Sequence, residues 1–307
     1  MDDSLAKVLS FVVFIALGYM LRRFGILKPE AFSAISGLVM DVTLPCVIIA
    51  NLNGLRIAGD MLLAAIFGFA VNLALLAWAK LWSFRDKDPM MRDFKLLNMS
   101  GYSVGPFAIP YMQAFYPTTG LLAVCMFDVG NVFMAGGGTY ALIAGTREKT
   151  TLMGTLKVIF SKLMRSGPLV CFVFVILMSV FSLKLPDGVI TCAKVAAGAN
   201  AFLCMIMVGE AIEFNMSASK FFLLLRILAL RWVICIALAL AAYNFLPFDG
   251  EMRIALSLVC LSPIPAMNLI FTAKLGCDIS LGANLNSMNV ACSVAAMSVA
   301  LVMLGVA

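Results

Sequence analysis

The chain has 307 residues, of which 63% are hydrophobic and only 12% are charged, and its mean hydropathy is +1.04. These values exclude a soluble globular domain and are those of an integral membrane protein. The net charge of +6 comes from basic residues in short loops between apolar runs, which is the pattern of membrane orientation signals and not of a nucleic-acid-binding surface.

Ten apolar stretches follow one another along the chain. A helix needs about 20 apolar residues to cross about 30 Å of hydrocarbon, and each stretch approaches that length. The first ends at Arg22 and Arg23 without a small-residue cleavage site, so we interpret it as a membrane span and not as a signal peptide. We predict an all-α polytopic membrane protein with spans at residues 4–23, 31–52, 59–83, 94–115, 119–145, 166–183, 189–212, 219–246, 251–273 and 279–306.

Lysines and arginines are concentrated in the connections after spans 1, 3 and 5. By the positive-inside rule these connections lie in the cytoplasm, which places both termini outside it. The longest connection, 146–165, separates a first repeat of five spans, 1–145, from a second repeat, 166–307. Because five is an odd number, the second repeat must be inserted upside down relative to the first. We therefore predict a five-plus-five inverted repeat.

Spans 4 and 9 contain prolines near the depth of the bilayer midplane. A proline has no backbone N–H and forces the preceding residue out of helical geometry, so each span should be two half-helices joined by unwound main chain. Irregular main chain at this depth needs surrounding protein or a water-filled cavity, and a pair of such spans points to the binding site of a secondary transporter. The predicted breaks contain Gly105, Pro106 and Pro110 in span 4 and Pro263 and Pro265 in span 9.

Two polar pairs follow these breaks at similar distances along the chain. Asp128 and Asn131 in span 5, and Asn286 and Asn289 in span 10, are each three residues apart and share a helical face. The asparagines either form interhelical hydrogen bonds or contact a ligand. A carboxylate near the bilayer centre costs roughly 2.5 to 3.5 kcal/mol, so we interpret Asp128 as a protonation site, a cation ligand or a partner for an arginine.

Other ionisable residues lie within the spans. Asp41 in span 2 and Arg231 in span 8 lie at depths similar to that of Asp128, and an ion pair of Arg231 with either carboxylate is open. Three further groups near cytoplasmic helix ends are expected to reach water, namely Arg226, Glu210 and Glu213.

The crossing of the two broken spans suits a carboxylate. The N-termini of the inner half-helices direct partial positive charge and free N–H groups to one point. Asn268 follows Pro265 by three residues and adds a side-chain donor. Its alternative role is capping of the main chain that the proline frees, and the same holds for Asn98, Ser100, Tyr102 and Ser103 ahead of Pro106.

Several stretches of the sequence resemble one known family. They are GYMLRRFGILKPE at 18–30, LVMDVTLPCVII at 38–49, the broken span 4, FDVGN at 127–131, and the proline-containing span 9 leading to KLGCD. In order and spacing they resemble the auxin efflux carrier family, in its prokaryotic branch of malonate or malate permeases. The resemblance covers essentially the whole chain.

The resemblance implies a ten-span inverted repeat like that of bile-acid symporters, in a bacterial inner membrane. Spans 1, 2, 6 and 7 would form a scaffold, through which the plant relatives form homodimers. Spans 3 to 5 and 8 to 10 would form a moving transport domain. Pro106, Asn131, Pro265 and Asn268 carry over as crossing or substrate-site residues. Unlike the plant proteins, this chain has no long hydrophilic loop and reads SVGPFAIP where they carry Asn-Thr-Gly.

These features together predict a secondary transporter of a small organic anion, such as malonate, malate or an auxin-like acid, by alternating access. We expect Asp128 and Asn286 at a site for a coupling proton or sodium ion. Alternatives are a sodium-coupled symporter of a bile-acid-like anion, a channel, and a non-transporting receptor. With no histidine and no nucleophile beside a base, we expect no catalytic site, metal or cofactor. The predicted substrate-binding residues are Gly105, Pro106, Pro110, Asn131, Pro263, Pro265, Asn268 and Asn289.

Overall fold

The computed structural model of the protein describes residues 3–54, 61–147, 167–212 and 216–304. These residues form α-helices, three π-helical turns and connecting loops, and no β-strand occurs among them. Six helical stretches in this part of the chain are long and apolar enough to cross a membrane. The all-helical prediction is therefore confirmed for the described residues, and the length and composition of these six helices are those of membrane spans. The six stretches are Glu30–Leu52, Met61–Ser83, Thr119–Gly145, Asp187–Glu210, Ala218–Phe245 and Ile279–Met303.

The first half contains unbroken helices and helices interrupted by a π-helical turn. Its elements are α1 (Asp3–Arg23), α2 (Pro29–Leu38), a π-turn (Val39–Thr43), α3 (Leu44–Leu52), α4 (Met61–Ser83), α5 (Pro89–Asn98), a π-turn (Val104–Ala108), α6 (Ile109–Phe115), α7 (Thr119–Phe133), a π-turn (Met134–Gly138) and α8 (Thr139–Arg147).

The second half follows the predicted connection at 146–165, which lies outside the described residues from residue 148 onward, as does Glu213. Its elements are α9 (Gly167–Val180), α10 (Asp187–Gly198), α11 (Asn200–Glu210), α12 (Ala218–Phe245), α13 (Gly250–Val259), α14 (Met267–Lys274) and α15 (Ile279–Met303).

The π-helical turns let two helices pass a proline at membrane depth. Pro45 cannot donate a hydrogen bond to the preceding turn, and just before it the N–H of Leu44 bonds to the Val39 carbonyl, five residues back. The same arrangement precedes Pro110. Both helices continue beyond these prolines, so Pro110 does not interrupt its segment as the sequence had suggested.

The interruption of span 4 lies ahead of the prolines. Helix α5 ends at Asn98 and helical structure resumes at Val104, which leaves residues 99–103 as a non-helical linker, called here the first linker. Pro106 lies in the first turn of the resumed helix. A missing N–H has no consequence there, because the first turn of a helix has no carbonyl to bond to. The predicted break at Pro106 and Pro110 is therefore corrected to 99–103.

The interruption of span 9 coincides with its prolines. Helix α13 ends at Val259 and α14 begins at Met267, with a non-helical stretch at 260–266, called here the second linker. Pro263 and Pro265 both lie in this linker, where neither removes a helical hydrogen bond.

Glycines hold two pairs of helices in main-chain contact. Gly18 of α1 and Gly209 of α11 each face a carbonyl of the other helix, and so do Gly68 of α4 and Gly130 of α7. A methyl group on any of these glycines would overlap the facing carbonyl. Small residues allow this close approach in membranes, where packing and not the hydrophobic effect drives helix association.

The helices form two groups. Helix α1 packs on α11, and α3 packs on α9 and α10, which makes one group of α1 to α3 and α9 to α11. Helix α4 packs on α7, and α13 packs on α7 and α12, which makes a second group of α4 to α8 and α12 to α15. The groups touch where α11 meets α6 and the π-turn before it. Both linkers belong to the second group and lie close to this contact.

Candidate functional site

The two linkers meet. The backbone N–H of Ser103 in the first linker donates to the carbonyl of Pro263 in the second, with an N to O distance of 2.8 Å. Beside this bond, Gly101 lies so close to the ring of Pro265 that a side chain at Gly101 would collide with it. The structure thus brings together two interrupted segments that lie far apart in the sequence.

Two predicted site residues hold the first linker through its backbone. The Nδ2 atom of Asn268 donates to the carbonyls of Leu97 and Ser100, at 2.8 and 3.1 Å. Asn131 binds both backbone groups of Tyr102, since Nδ2 donates to the carbonyl at 3.0 Å and Oδ1 accepts from the N–H at 3.2 Å. Both asparagines therefore cap the freed main chain, which was the alternative role for Asn268.

Arg231 binds the same linker from α12. Its Nη1 and Nη2 atoms donate to the carbonyls of Met99 and Gly101, at 2.6 and 2.7 Å. The guanidinium carbon lies 5.3 Å from the centre of the Tyr102 ring, and Arg231 is only 1% exposed. A guanidinium is well suited to this position because its five donors form a rigid fork.

The ion pair of Arg231 with Asp128 or Asp41, which the sequence left open, is not formed in the described part of the chain, where the guanidinium donates to two carbonyls. The Oδ1 atom of Asp128 accepts instead from Nδ2 of Asn131 at 2.9 Å, and this carboxylate is half-buried. Asp41 lies in a π-helical turn with its side chain exposed at the protein surface, close to Gly167 at the start of α9.

A small cavity lies beside the contact of the linkers. About 40 Å³ of it is accessible to a water-sized molecule. Ser103, Pro106, Pro263 and Asn286 line it from the second group of helices. Phe32, Met207, Val208 and Ala211 line it from the first group, so the cavity lies between the two groups.

The polar pair of α15 has unpartnered atoms at this cavity and next to it. The Oδ1 atom of Asn286 and the Nδ2 atom of Asn289 are buried without a hydrogen-bond partner. The Oδ1 atom of Asn289 accepts from Nε1 of Trp232 at 3.0 Å. A buried polar atom without a partner costs about 1 to 3 kcal/mol, so this face is suited to a ligand or water that completes its hydrogen bonds.

The remaining predicted residues do not line the cavity. Gly105 faces Leu44 of the first group, and Pro110 is buried in α6. Of the predicted substrate-binding residues, Pro106 and Pro263 line the cavity, and six do not, namely Gly105, Pro110, Asn131, Pro265, Asn268 and Asn289.

Sequence reasoning missed Asn72 and misjudged Glu210. Asn72 is fully buried in α4, and its Nδ2 atom donates to Oδ1 of Asn131 at 3.1 Å. An asparagine inside an apolar span was the signal that would have found it. Glu210, expected in water, is 2% exposed. It lies at the end of α11, which packs on α1, and Nη1 of Arg22 donates to its backbone carbonyl at 2.6 Å. Arg226 is exposed, as expected.

Within the described ranges, no group of three or more acidic, cysteine or histidine side chains is arranged to hold a metal ion. Comparison of the chain with models of known families and with curated proteins gave no match.

Proposed function

We propose that this protein is a secondary active transporter of a small organic anion, with carboxylates or dicarboxylates such as malonate or malate as its substrates. The observation that carries the proposal is the hydrogen bond from the Ser103 N–H to the Pro263 carbonyl, which joins two interrupted helices beside a cavity. Crossed, interrupted helices at membrane depth are the arrangement by which transporters expose main-chain groups to a substrate.

Helix pairing supports a ten-span, five-plus-five inverted repeat as part of this proposal. Corresponding helices of the two halves make corresponding contacts. Helix α1 packs on α11 as α9 packs on α3, α4 packs on α7 as α12 packs on α15, and α5 packs on α4 as α13 packs on α12. With the two interrupted segments counted as one span each, five spans precede the 148–166 stretch and five follow it.

The charge distribution at the crossing favours an anion. Helical structure resumes at Val104 after the first linker and at Met267 after the second. Each resumed helix begins at the crossing with a partial positive charge of roughly half a unit. The first N–H groups at Val104 have no helical partner, whereas those of Asn268 and Leu269 bond to the carbonyls of Pro265 and Ala266. A carboxylate in the cavity would accept hydrogen bonds from N–H groups at the start of the first resumed helix and from Nδ2 of Asn286.

Alternating access follows from the two groups of helices. Each is held together by a glycine contact between main chains, Gly18 and Gly209 in one and Gly68 and Gly130 in the other. The cavity lies between them, so a displacement of one group relative to the other would open it to either side of the membrane. In this proposal, α1 to α3 and α9 to α11 form the scaffold, and the other helices form the moving transport domain.

Coupling to a proton or a sodium ion is assigned to Asp128, with Asn286 as a second polar group. The Asp128 carboxylate is one hydrogen bond from Asn131, which binds the first linker at Tyr102. A change in the charge of Asp128 would therefore act on the linker through two consecutive hydrogen bonds.

The geometry of the site supports the three alternative functions less well than it supports transport of a small anion. The small cavity favours a compact anion over a bile-acid-sized substrate of a sodium-coupled symporter. A channel would be expected to show several rings of pore-lining residues and not a pair of crossed breaks. A receptor without transport would need no division into two groups of helices that are each held together by close glycine contacts.

The resemblance to auxin efflux carriers extends the proposal to the membrane, the oligomeric state and the orientation of the protein. On its basis we propose that the chain lies in a bacterial inner membrane as a homodimer through scaffold helices, with both termini on the non-cytoplasmic side. Labelling of single cysteines at position 150 and at the C-terminus, in a cysteine-free background, tests the orientation. Modification of both positions from the same side of the membrane would contradict it.

Uptake into proteoliposomes tests the function. The purified protein is reconstituted and offered labelled malonate, malate and acetate, with and without an imposed pH or sodium gradient. We expect saturable uptake of at least one carboxylate and a loss of at least tenfold in Asn286→Ala. Asn244→Ala, at an exposed position of α12, is the matched control and should behave as wild type. Failure of the wild-type protein to take up or exchange any carboxylate would contradict the proposal.

A further inference from the structure

Arg231 is a buried cation without a buried anion beside it. Its side chain is 1% exposed, and both hydrogen bonds of the guanidinium go to neutral carbonyls, those of Met99 and Gly101. Within the described residues, no carboxylate forms an ion pair with Arg231. Carbonyl dipoles and the Tyr102 ring stabilise the cation but do not neutralise it.

The positive charge of Arg231 lies against the first linker, close to the point where the two linkers cross. Arg231 binds the carbonyl of Gly101, and Ser103, two residues further along the first linker, lines the cavity. The guanidinium and the cavity thus meet the first linker at positions two residues apart. Asp128, the carboxylate linked to this part of the protein, contacts the linker only through Asn131.

Removing an unpaired guanidinium from water is costly, and an anion held nearby in the same low-dielectric interior offsets that cost. The cavity lined by Ser103 of the same linker is a space in which such an anion can sit. A dianion would gain more from the same fixed charge than a monoanion of equal shape.

We infer that Arg231 is a positioning and charge-selecting residue of the transporter, which fixes the first linker and makes the crossing prefer dicarboxylates over monocarboxylates. The inference rests on the proposed function and goes beyond it, because it assigns the preference for substrate charge to one side chain outside the cavity. Arg231 acts through the linker and its electric field and does not touch the substrate.

The expected size of the effect follows from Coulomb's law. With an effective dielectric constant of about 20, a unit charge about 10 Å from a carboxylate changes its affinity by on the order of tenfold. Removing the Arg231 charge should therefore lower the preference for a dianion over a monoanion of the same shape by on the order of tenfold.

Malonate and its monoamide are suitable probes, because they have nearly the same shape and differ by one charge at neutral pH. The measurement is the ratio of their apparent affinities in proteoliposome uptake. Arg231→Gln keeps a hydrogen-bond donor and removes the charge, so we expect the ratio to fall about tenfold. Arg231→Lys keeps the charge and loses the fork, so we expect a lower Tm with a ratio near that of wild type.

Two control variants separate charge from structure. Arg226→Gln removes an exposed arginine five positions earlier on the same helix and should leave the ratio unchanged. Asn268→Ala removes the hydrogen bonds to Leu97 and Ser100 from the same part of span 4 without changing charge, and should weaken uptake of both probes equally.

The outcomes separate a failure of the inference about Arg231 from a failure of the proposed transport function. Uptake by wild type with an unchanged ratio in folded Arg231→Gln overturns the inference and leaves the proposed function intact. If the Arg231 variants do not fold, competition by malonate and its monoamide in wild type decides. Equal competition by the dianion and the monoanion overturns the inference, and a preference for malonate of about tenfold or more supports it. Absence of any carboxylate uptake or exchange by wild type contradicts the proposed function itself.

Discussion

Gly101 and Pro265 lie against each other where the two linkers cross, and a Cβ atom on Gly101 would be only 2.8 Å from Cγ of Pro265. Gly101 also has a φ of +86°, in the left-handed region that other residues rarely adopt. Both conditions require glycine at this position.

We expect Gly101→Ala to destabilise the protein by about 1 to 3 kcal/mol and to impair transport, because strain and overlap would separate the linkers. Gly37→Ala is the control, since a Cβ atom there meets nothing within 4 Å, and it should leave Tm unchanged or slightly raised. Thermal unfolding in detergent measures both. Equal Tm values for Gly101→Ala and wild type would show that the linkers are not locked together.

The glycine contacts between helices give a second prediction. Gly130→Ala and Gly209→Ala place a methyl group against a main-chain carbonyl that cannot move without shifting its helix. We expect each to cost about 2 kcal/mol or more and to lower Tm. Gly198→Ala, at a position with open space, should not. A similar Tm in all three variants would remove the argument for two rigid groups.

The third prediction concerns Asp128. Asparagine keeps an oxygen that accepts from Nδ2 of Asn131 but cannot take up or release a proton, and no arginine is left unpaired by the change. We expect Asp128→Asn to change stability by less than about 1 kcal/mol, to abolish gradient-driven accumulation, and to retain substrate exchange. Tm and uptake with and without gradients check this. Uptake that keeps its wild-type dependence on pH and sodium would exclude Asp128 as the coupling site.

The fourth prediction is a pH dependence outside the membrane spans. Asp278 precedes α15 and caps it, since its Oδ1 accepts from the N–H of Leu281 at 3.0 Å. The Lys220 ammonium at 2.9 Å, together with this cap, lowers the pKa of Asp278. Because the pKa is depressed on folding, this stabilisation is present above the pKa of the unfolded chain and is lost as pH falls through the folded pKa.

The measurement is Tm against pH for wild type and Asp278→Ala. The variant should lose a cap that is typically worth about 1 kcal/mol at neutral pH, and the two Tm curves should converge in acid. Lys220→Met keeps the cap and should reduce the acid sensitivity only in part. Curves that stay parallel down to low pH would show that Asp278 contributes nothing as a carboxylate.

Much of the fold was determined by the sequence alone. Apolar runs of membrane length specify helices, because lipid offers no partner for an unsatisfied backbone group. Pro263 and Pro265 lie together in the middle of span 9 and locate the second linker, because a proline has no backbone N–H to donate within a helix. The spacing of Asn286 and Asn289 on one helical face already identified the pair whose polar atoms are unpartnered in or beside the cavity.

Only the tertiary structure determined where the helix of span 4 is interrupted and which side chains stabilise the interruption. Pro106 and Pro110 are compatible with helix, so the break depends on donors from distant helices that replace the lost helical bonds at 99–103. Those donors are Asn131, Arg231 and Asn268, from α7, α12 and α14. Local sequence specifies which backbone groups are freed, but long-range packing determines which side chains reach them, and so the buried guanidinium binds carbonyls and not a carboxylate.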